Sequence, residues 1–152
     1  MLSASDVRAA AERIRPYARR TPLFDVKIGD RRVLLKLEYL QRSGSFKLRG
    51  ALNAMLSKPL DDHIVAASGG NHGLAVATAA SLLGVSATVY VPETVPAAKA
   101  RRIEAAGARL VRHGAAFAEA ASAAADAAAR NQLRLSRLPH GWPARFPETC
   151  RA

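Results

Sequence analysis

Two short segments of this chain carry residue types that could do chemistry. In Ser43-Gly44-Ser45-Phe46-Lys47-Leu48-Arg49-Gly50-Ala51 a lysine follows an aromatic residue at what reads as the first turn of a helix. A lysine in such a place is ordinarily a solvated surface cation. If it is partly withdrawn from water its pKa falls, and the freed lone pair can attack a carbonyl to form a Schiff base. In Ser68-Gly69-Gly70-Asn71-His72-Gly73 a glycine-rich turn lies between an expected strand and an expected helix. Bare backbone N–H groups there join the helix dipole in favouring an anion. The same loop also reads as plain architecture, with Asn71 capping the helix and the glycines making the turn. It is not a P-loop, since no Gly-Lys-Ser/Thr follows, and it is not G-x-G-x-x-G.

The elements that must position these segments follow from the apolar pattern. Ser3-Ala4-Ser5-Asp6 with Val7, Ala10, Ile14 and Tyr17 predicts a capped amphipathic helix, ended by Arg19-Arg20-Thr21-Pro22. Leu23–Val26 and Val33–Leu37, separated by Gly29-Asp30, predict a hairpin. Ser45 is expected to cap a helix running through Lys47 to about Leu56. The chain then alternates: strand Ile64–Ala67, helix Asn71–Leu83, strand Ala87–Val91, a proline-opened helix Pro96–Ala106, strand Ala108–Val111, helix Ala116–Arg130 and a last strand Gln132–Leu135. Strands spaced by such helices predict an α/β fold, a mostly parallel sheet with helices on both faces, preceded by the N-terminal helix and hairpin. From Leu138 to Ala152 this rhythm breaks, with Pro139, Gly141, Pro143 and Pro147 in quick succession, and a frayed tail is expected.

Composition narrows the function classes. The 152 residues fit one ordinary domain, and the 49% apolar fraction is rich in alanine with only 5% aromatics, so the core should be thin. The formal charge of +11 comes from 23 Lys+Arg against 12 Asp+Glu. These cations are scattered among helical positions rather than gathered in a stripe, so a nucleic-acid partner is not expected. Cys150 is the only cysteine, which excludes an internal disulfide and a cysteine-cluster metal site and suits a reducing cytoplasm. No hydrophobic signal core opens the chain and no apolar stretch is long enough to span a bilayer, so a soluble protein is expected. His63, His113 and His140 lack metal-ligand spacing and read as surface or loop residues, and Lys99 with Arg101-Arg102 as a solvated helix face.

Taken together, the two segments resemble a family. Lys36, Glu38, Gln41, Gly44, Ser45, Phe46, Lys47, Arg49, Gly50 and Ala51 reproduce K-x-E-x-x-Q-x-x-G-S-F-K-x-R-G-A, and Ser68–Gly73 follows at the separation found in fold type II pyridoxal-phosphate enzymes of the threonine dehydratase and serine racemase branch. Val91-Pro92-Glu93, Lys99 and Gly107-Ala108 also match that family's small domain. Cysteine synthases of the same fold carry Asp-Arg where this chain has Leu48-Arg49-Gly50, so the dehydratase branch fits better.

The resemblance implies pyridoxal 5'-phosphate as cofactor and a small amino acid as substrate. It makes Lys47 the Schiff-base lysine, which also removes and returns protons at the substrate α-carbon. Phe46 would pack beside the ring, and Asn71 would bond the cofactor's phenolic oxygen. Backbone N–H groups of Ser68, Gly69, Gly70, Asn71 and His72 would hold the substrate carboxylate. The implied reaction is that of an ammonia-lyase, elimination of a β-hydroxyl to give a keto acid and ammonia. Racemases of this branch place a serine where this chain has Gly69, so elimination is expected over racemisation. Glu38 and Gln41 belong to the signature without a role that spacing assigns.

The resemblance covers about residues 3–130, reaching at most the expected strand at Gln132–Leu135. It implies an N-terminal portion over 1–137, with the small α/β domain at about 45–137 and an unrelated tail at 138–152. The glycine-rich phosphate loop, the partner of the pyridine nitrogen and the metal site of some relatives do not occur in the chain. A frameshift or gene truncation is the expected origin of the tail, with a weakly active or inactive lyase as the result. A catalytically dead remnant and a small basic binding module stay open as alternatives. The resemblance leaves a homo-oligomer open, and loss of half the fold argues against it in favour of promiscuous association.

Overall fold

The computed structural model describes residues 3–131 and 134–136. The expected tail at 138–152, together with Gln132 and Leu133 of the expected last strand, lies outside the described residues.

Helix α1 (Ala4–Ile14) starts where a capping box predicts: the Asp6 N–H donates to the Ser3 hydroxyl, and the Ser3 N–H donates back to the Asp6 carboxylate. Strands β1 (Leu23–Ile28) and β2 (Arg31–Lys36) pair antiparallel around Gly29-Asp30, with Gly29 at φ +60°. Each is longer at the turn than expected, because Lys27, Arg31 and Arg32 join the ladder, and Leu37 falls outside β2. A 3-10 turn (Glu38–Leu40) then leads into α2 (Lys47–Leu56).

The expected cap of α2 is not formed. Phe46, already in helical conformation at φ −59° and ψ −17°, takes the cap position, so Ser45 lies one residue too early to reach the helix N–H groups. Its hydroxyl is buried and has no hydrogen-bond partner among the described residues.

The rest is the expected alternation: β3 (His63–Ala67), α3 (Asn71–Leu83), β4 (Ser86–Val91), α4 (Ala97–Ala105), β5 (Arg109–Arg112), α5 (Phe117–Arg130) and β6 (Arg134–Ser136). Pro96 precedes α4 as its cap rather than opening it as the first helical residue. His63 is neither a loop nor a freely exposed residue: it lies in β3, half-buried, with Nε2 2.9 Å from Thr88 Oγ1 on the neighbouring strand.

The four strands form a parallel sheet in the order β5-β4-β3-β6. Alternation along the strands supplies both faces. Ile64 and Ala66 point to one side, into a core with Ile14 of α1, Leu48, Leu52 and Met55 of α2, and Val76 and Ala79 of α3. Val89 and Val91 extend that side over α4 through Ala100 and Ile103. Val65 points to the other face, where α5 covers it with Ala124 and Ala128. That second layer is thin because alanine removes little apolar area per residue.

Strand order reverses between β3 and β6: the chain moves outward from β3 through β4 to β5, then returns to β3's other side. In open parallel sheets the crevice at the carboxyl ends of the strands beside such a reversal is where ligands bind. The Ser68–Gly73 loop leaves the carboxyl end of β3 at that point.

Candidate active site

Lys47 is the first residue of α2 and half-buried. Its ammonium stands 4.8 Å from the centroid of the Phe46 ring, within cation–π range, while 45% of Phe46 stays exposed. Leu48, Ala51, Leu52 and Met55 pack α2 onto α3. The consequence is electrostatic: His72 has its pKa lowered, first by burial and further by the Lys47 charge, against an opposing contribution from the Ser136 carbonyl. The lysine and the glycine-rich loop are thereby brought together across 25 positions of sequence, counted from Lys47 to His72.

In the loop, Gly70 occupies the cap position of α3 with no side-chain cap, and Asn71 is the first helical residue. The architectural reading of Asn71 as helix cap therefore fails. Its side chain is exposed and makes no hydrogen bond among the described residues.

Two backbone donors of the loop are engaged: Ser68 N–H to the Tyr90 carbonyl (3.0 Å) and Gly70 N–H to the Ser68 hydroxyl (3.2 Å). Those of Gly69, Asn71 and His72 have no acceptor among the described residues, which leaves open donors at the positive end of a 13-residue helix. His72 is 7% exposed, and its Nε2 lies 3.3 Å from the Ser136 carbonyl, tying the loop to β6 across the strand-order reversal.

Glycine is required in this loop for space. A Cβ on Gly73 would stand 2.0 Å from the Ser68 carbonyl oxygen, and one on Gly69 would stand 2.7 Å from Cγ2 of Val95. Val95, buried under the loop, escaped notice in the sequence because an isolated valine between prolines carries no signal.

The second group missed is a polar network behind Lys47. Arg49 forks onto both oxygens of Glu38 at 2.9 Å, and the Thr21 hydroxyl donates to Glu38 at 2.6 Å. Gln41 bonds the backbone of Arg19 on both its N–H and its carbonyl. Lys36 donates to the Thr21 carbonyl. Signature spacing marked Lys36, Glu38, Gln41 and Arg49, but their shared target at Arg19–Thr21 is visible only in three dimensions.

The residues present fit pyridoxal phosphate along one wall: an amine, an exposed aromatic face, open N–H donors at a helix start and a buried hydroxyl on Ser45 with no partner among the described residues. They do not enclose it. An open concavity of about 430 Å³ is bounded by Gln41, Arg42, Gly44, Thr78 and Arg102, and neither Lys47 nor Asn71 lines it. No group of three metal-ligating side chains occurs among the described residues, and no described helix is long and apolar enough to cross a membrane.

Known proteins resemble this chain in sequence and in fold. The chain is 40% identical over 127 residues to the catabolic L-threonine dehydratase TdcB of Staphylococcus aureus strain USA300, covering 78% of this chain and 37% of that protein. A threonine deaminase from T.th. superposes with a TM-score of 0.81 at 39% identity, over 88% of this chain and 44% of that one. Maize serine racemase superposes at 0.80 with 29% identity, over 86% and 42%. The chain thus spans less than half the length of the relatives it resembles. Residues 14–142 match the family described as pyridoxal-phosphate dependent enzyme, and the chain belongs to that family, whose members depend on pyridoxal 5'-phosphate.

Proposed function

We propose that this chain carries the lysine-bearing part of an ammonia-lyase acting on a small β-hydroxy amino acid such as threonine or serine. What supports the reading is that Lys47, on the helix packed against α3, is near enough for its charge to bear on His72 of the loop that carries the open donors.

Pyridoxal phosphate, when bound, supplies an electron sink for the bonds to the substrate α-carbon. The chain's own residues do the rest. The Lys47 amine would be the attachment point for the cofactor's carbonyl carbon and would move the proton at the substrate α-carbon. Phe46 would offer the ring a flat apolar neighbour, and the Asn71 amide would be the partner of its phenolic oxygen. N–H groups of Gly69, Asn71 and His72 hold the substrate carboxylate at the positive end of α3, with Ser68 and Gly70 shaping the turn. Loss of the α-proton and the β-hydroxyl, followed by hydrolysis, yields a 2-keto acid and ammonia. Gly69, whose Cβ position is crowded by Val95, carries no hydroxyl to serve the opposite face of the substrate, which favours elimination over racemisation.

Among the described residues this wall offers no glycine-rich loop beside Lys47 for a phosphate, so by themselves they should hold the cofactor loosely.

The test mixes the protein with pyridoxal phosphate, reduces with borohydride and maps the label, then measures keto acid from threonine and serine. A label at Lys47 that Lys47→Ala abolishes is expected, with slow keto acid release. A label at Lys47 without keto acid identifies a catalytically dead remnant. No preference for Lys47, with a salt-sensitive nucleic-acid shift, would replace the enzymatic reading by a basic binding module. D-Serine formed from L-serine faster than keto acid would favour a racemase.

A further inference from the structure

The network behind Lys47 has a role that the signature alone does not assign, and reading it rests on Lys47 being the reactive amine. Lys47 and Arg49 are two residues apart on α2, about 200° around the helix, so they project from nearly opposite sides of its first turn. Arg49 grips Glu38 through Nε and Nη2, both at 2.9 Å, in the planar fork that fixes orientation as well as distance. The same Nη2 donates to the Arg19 carbonyl at 3.0 Å, and Glu38 also accepts from the Thr21 hydroxyl. Glu38 sits at the start of the 3-10 turn, whose far end is held by Gln41 on the backbone of Arg19 and Arg42.

Gln41 therefore ties the segment between α1 and β1 to the end of the 3-10 turn, and Arg49 with Glu38 ties it to the first turn of α2. That turn has no side-chain cap of its own to fix it. None of these groups touches Lys47 among the described residues.

We infer that the Glu38–Arg49 fork is a positioning device: by fixing the rotation of the first turn of α2, it aims the Lys47 amine at the Ser68–His72 loop. A bidentate pair resists rotation about the helix axis in a way a single hydrogen bond does not, and aim matters because small misplacements of a reacting group cost rate steeply.

The experiment uses the full chain and compares Lys47 with three other lysines of the same molecule. Lys27, Lys58 and Lys99 are exposed and lie outside the network, so they act as internal standards. Wild type, Glu38→Gln, Glu38→Ala, Arg49→Ala and Arg49→Lys are treated in parallel with pyridoxal phosphate plus borohydride and, separately, with a small acetylating reagent and no cofactor. Each lysine's share, the fraction of that lysine carrying label, is read by peptide mass analysis. In the wild type Lys47 should take the largest pyridoxyl share. Glu38→Ala and Arg49→Ala should lower that share on the order of tenfold, with Lys27, Lys58 and Lys99 unchanged. Glu38→Gln, which keeps the shape and an acceptor for Thr21, should recover part of it, and Arg49→Lys, which keeps charge without the fork, less. The acetylation share of Lys47 should move relative to the standards in the same variants.

An unchanged Lys47 share in the variants overturns the inference while leaving the proposed function intact. A change that affects Lys47 and the three standards together marks simple loss of folding, and overturns it as well. A wild type with no preference for Lys47 removes the proposed function, and the inference with it.

Discussion

Gly73 stands where any side chain would collide with the backbone of Ser68, the residue that closes the loop from the other side. A backbone oxygen cannot step aside as a flexible side chain can, so Gly73→Ala should cost about 3 kcal/mol, measured as a lowered denaturant midpoint. At Gly69 the obstacle is a side chain, and the outcome differs. Gly69→Ser alone should cost about 1–3 kcal/mol through overpacking, and much less in a Val95→Ala background. Equal costs in both backgrounds would show that Val95 is not the obstacle.

His72 titrates in a way that links the same loop to stability. Its pKa is lowered by burial first and by Lys47 next, so the unfolded chain takes up a proton before the folded one does. Stability from this residue is present above the ordinary histidine value of about 6.5 and is lost as pH falls through it. Urea midpoints at pH 7.5 and 5.5 should therefore drop toward acid, and His72→Gln should flatten the difference.

At the scale of elements, α2 depends on distant chain for its placement. Burial raises the Glu38 pKa, but Arg49, Thr21 and Lys36 outweigh that and leave it lowered. A lowered carboxyl stabilises the fold above its unfolded value, and that contribution disappears as pH falls through and below the ordinary glutamate value of about 4.3. Between pH 5 and 3 the wild type should lose more stability than Glu38→Gln, which has no carboxyl to protonate there. Parallel acid profiles for the two proteins would contradict the assignment. Asp25 with Arg32, and Glu12 with Arg15, are exposed pairs from which little stability is expected.

Considered as a whole, the molecule has a hairpin whose strands pack chiefly on each other. Cross-strand pairing puts Phe24 with Leu35 and Val26 with Val33 on one face, and Ile28 continues it. Phe24 is 56% and Ile28 61% exposed. A two-stranded hairpin is marginal alone, and an uncovered apolar face on it favours association. Size-exclusion chromatography at rising concentration should show species larger than the 16.1 kDa chain. Phe24→Lys with Ile28→Lys should shift elution back toward that size. A cooperatively folding monomer at every concentration would contradict this.

The sequence by itself determined which elements form and in what order, because local rules decide them: apolar period, the Ser3–Asp6 box, the Gly29-Asp30 turn and the strand-helix alternation need no partner from afar. It also marked Lys47 and the Ser68–His72 loop, through residue types whose spacing recurs in a family. Tertiary structure alone decided that α2 docks on α3 so that lysine and loop meet, and that strand order reverses beside the loop. It likewise decided that Phe46 rather than Ser45 begins α2, that Val95 closes the space behind Gly69, and that Glu38 and Arg49 join over Thr21. Each of those depends on contacts between residues far apart in the chain, where distance is set by packing and no local pattern records it.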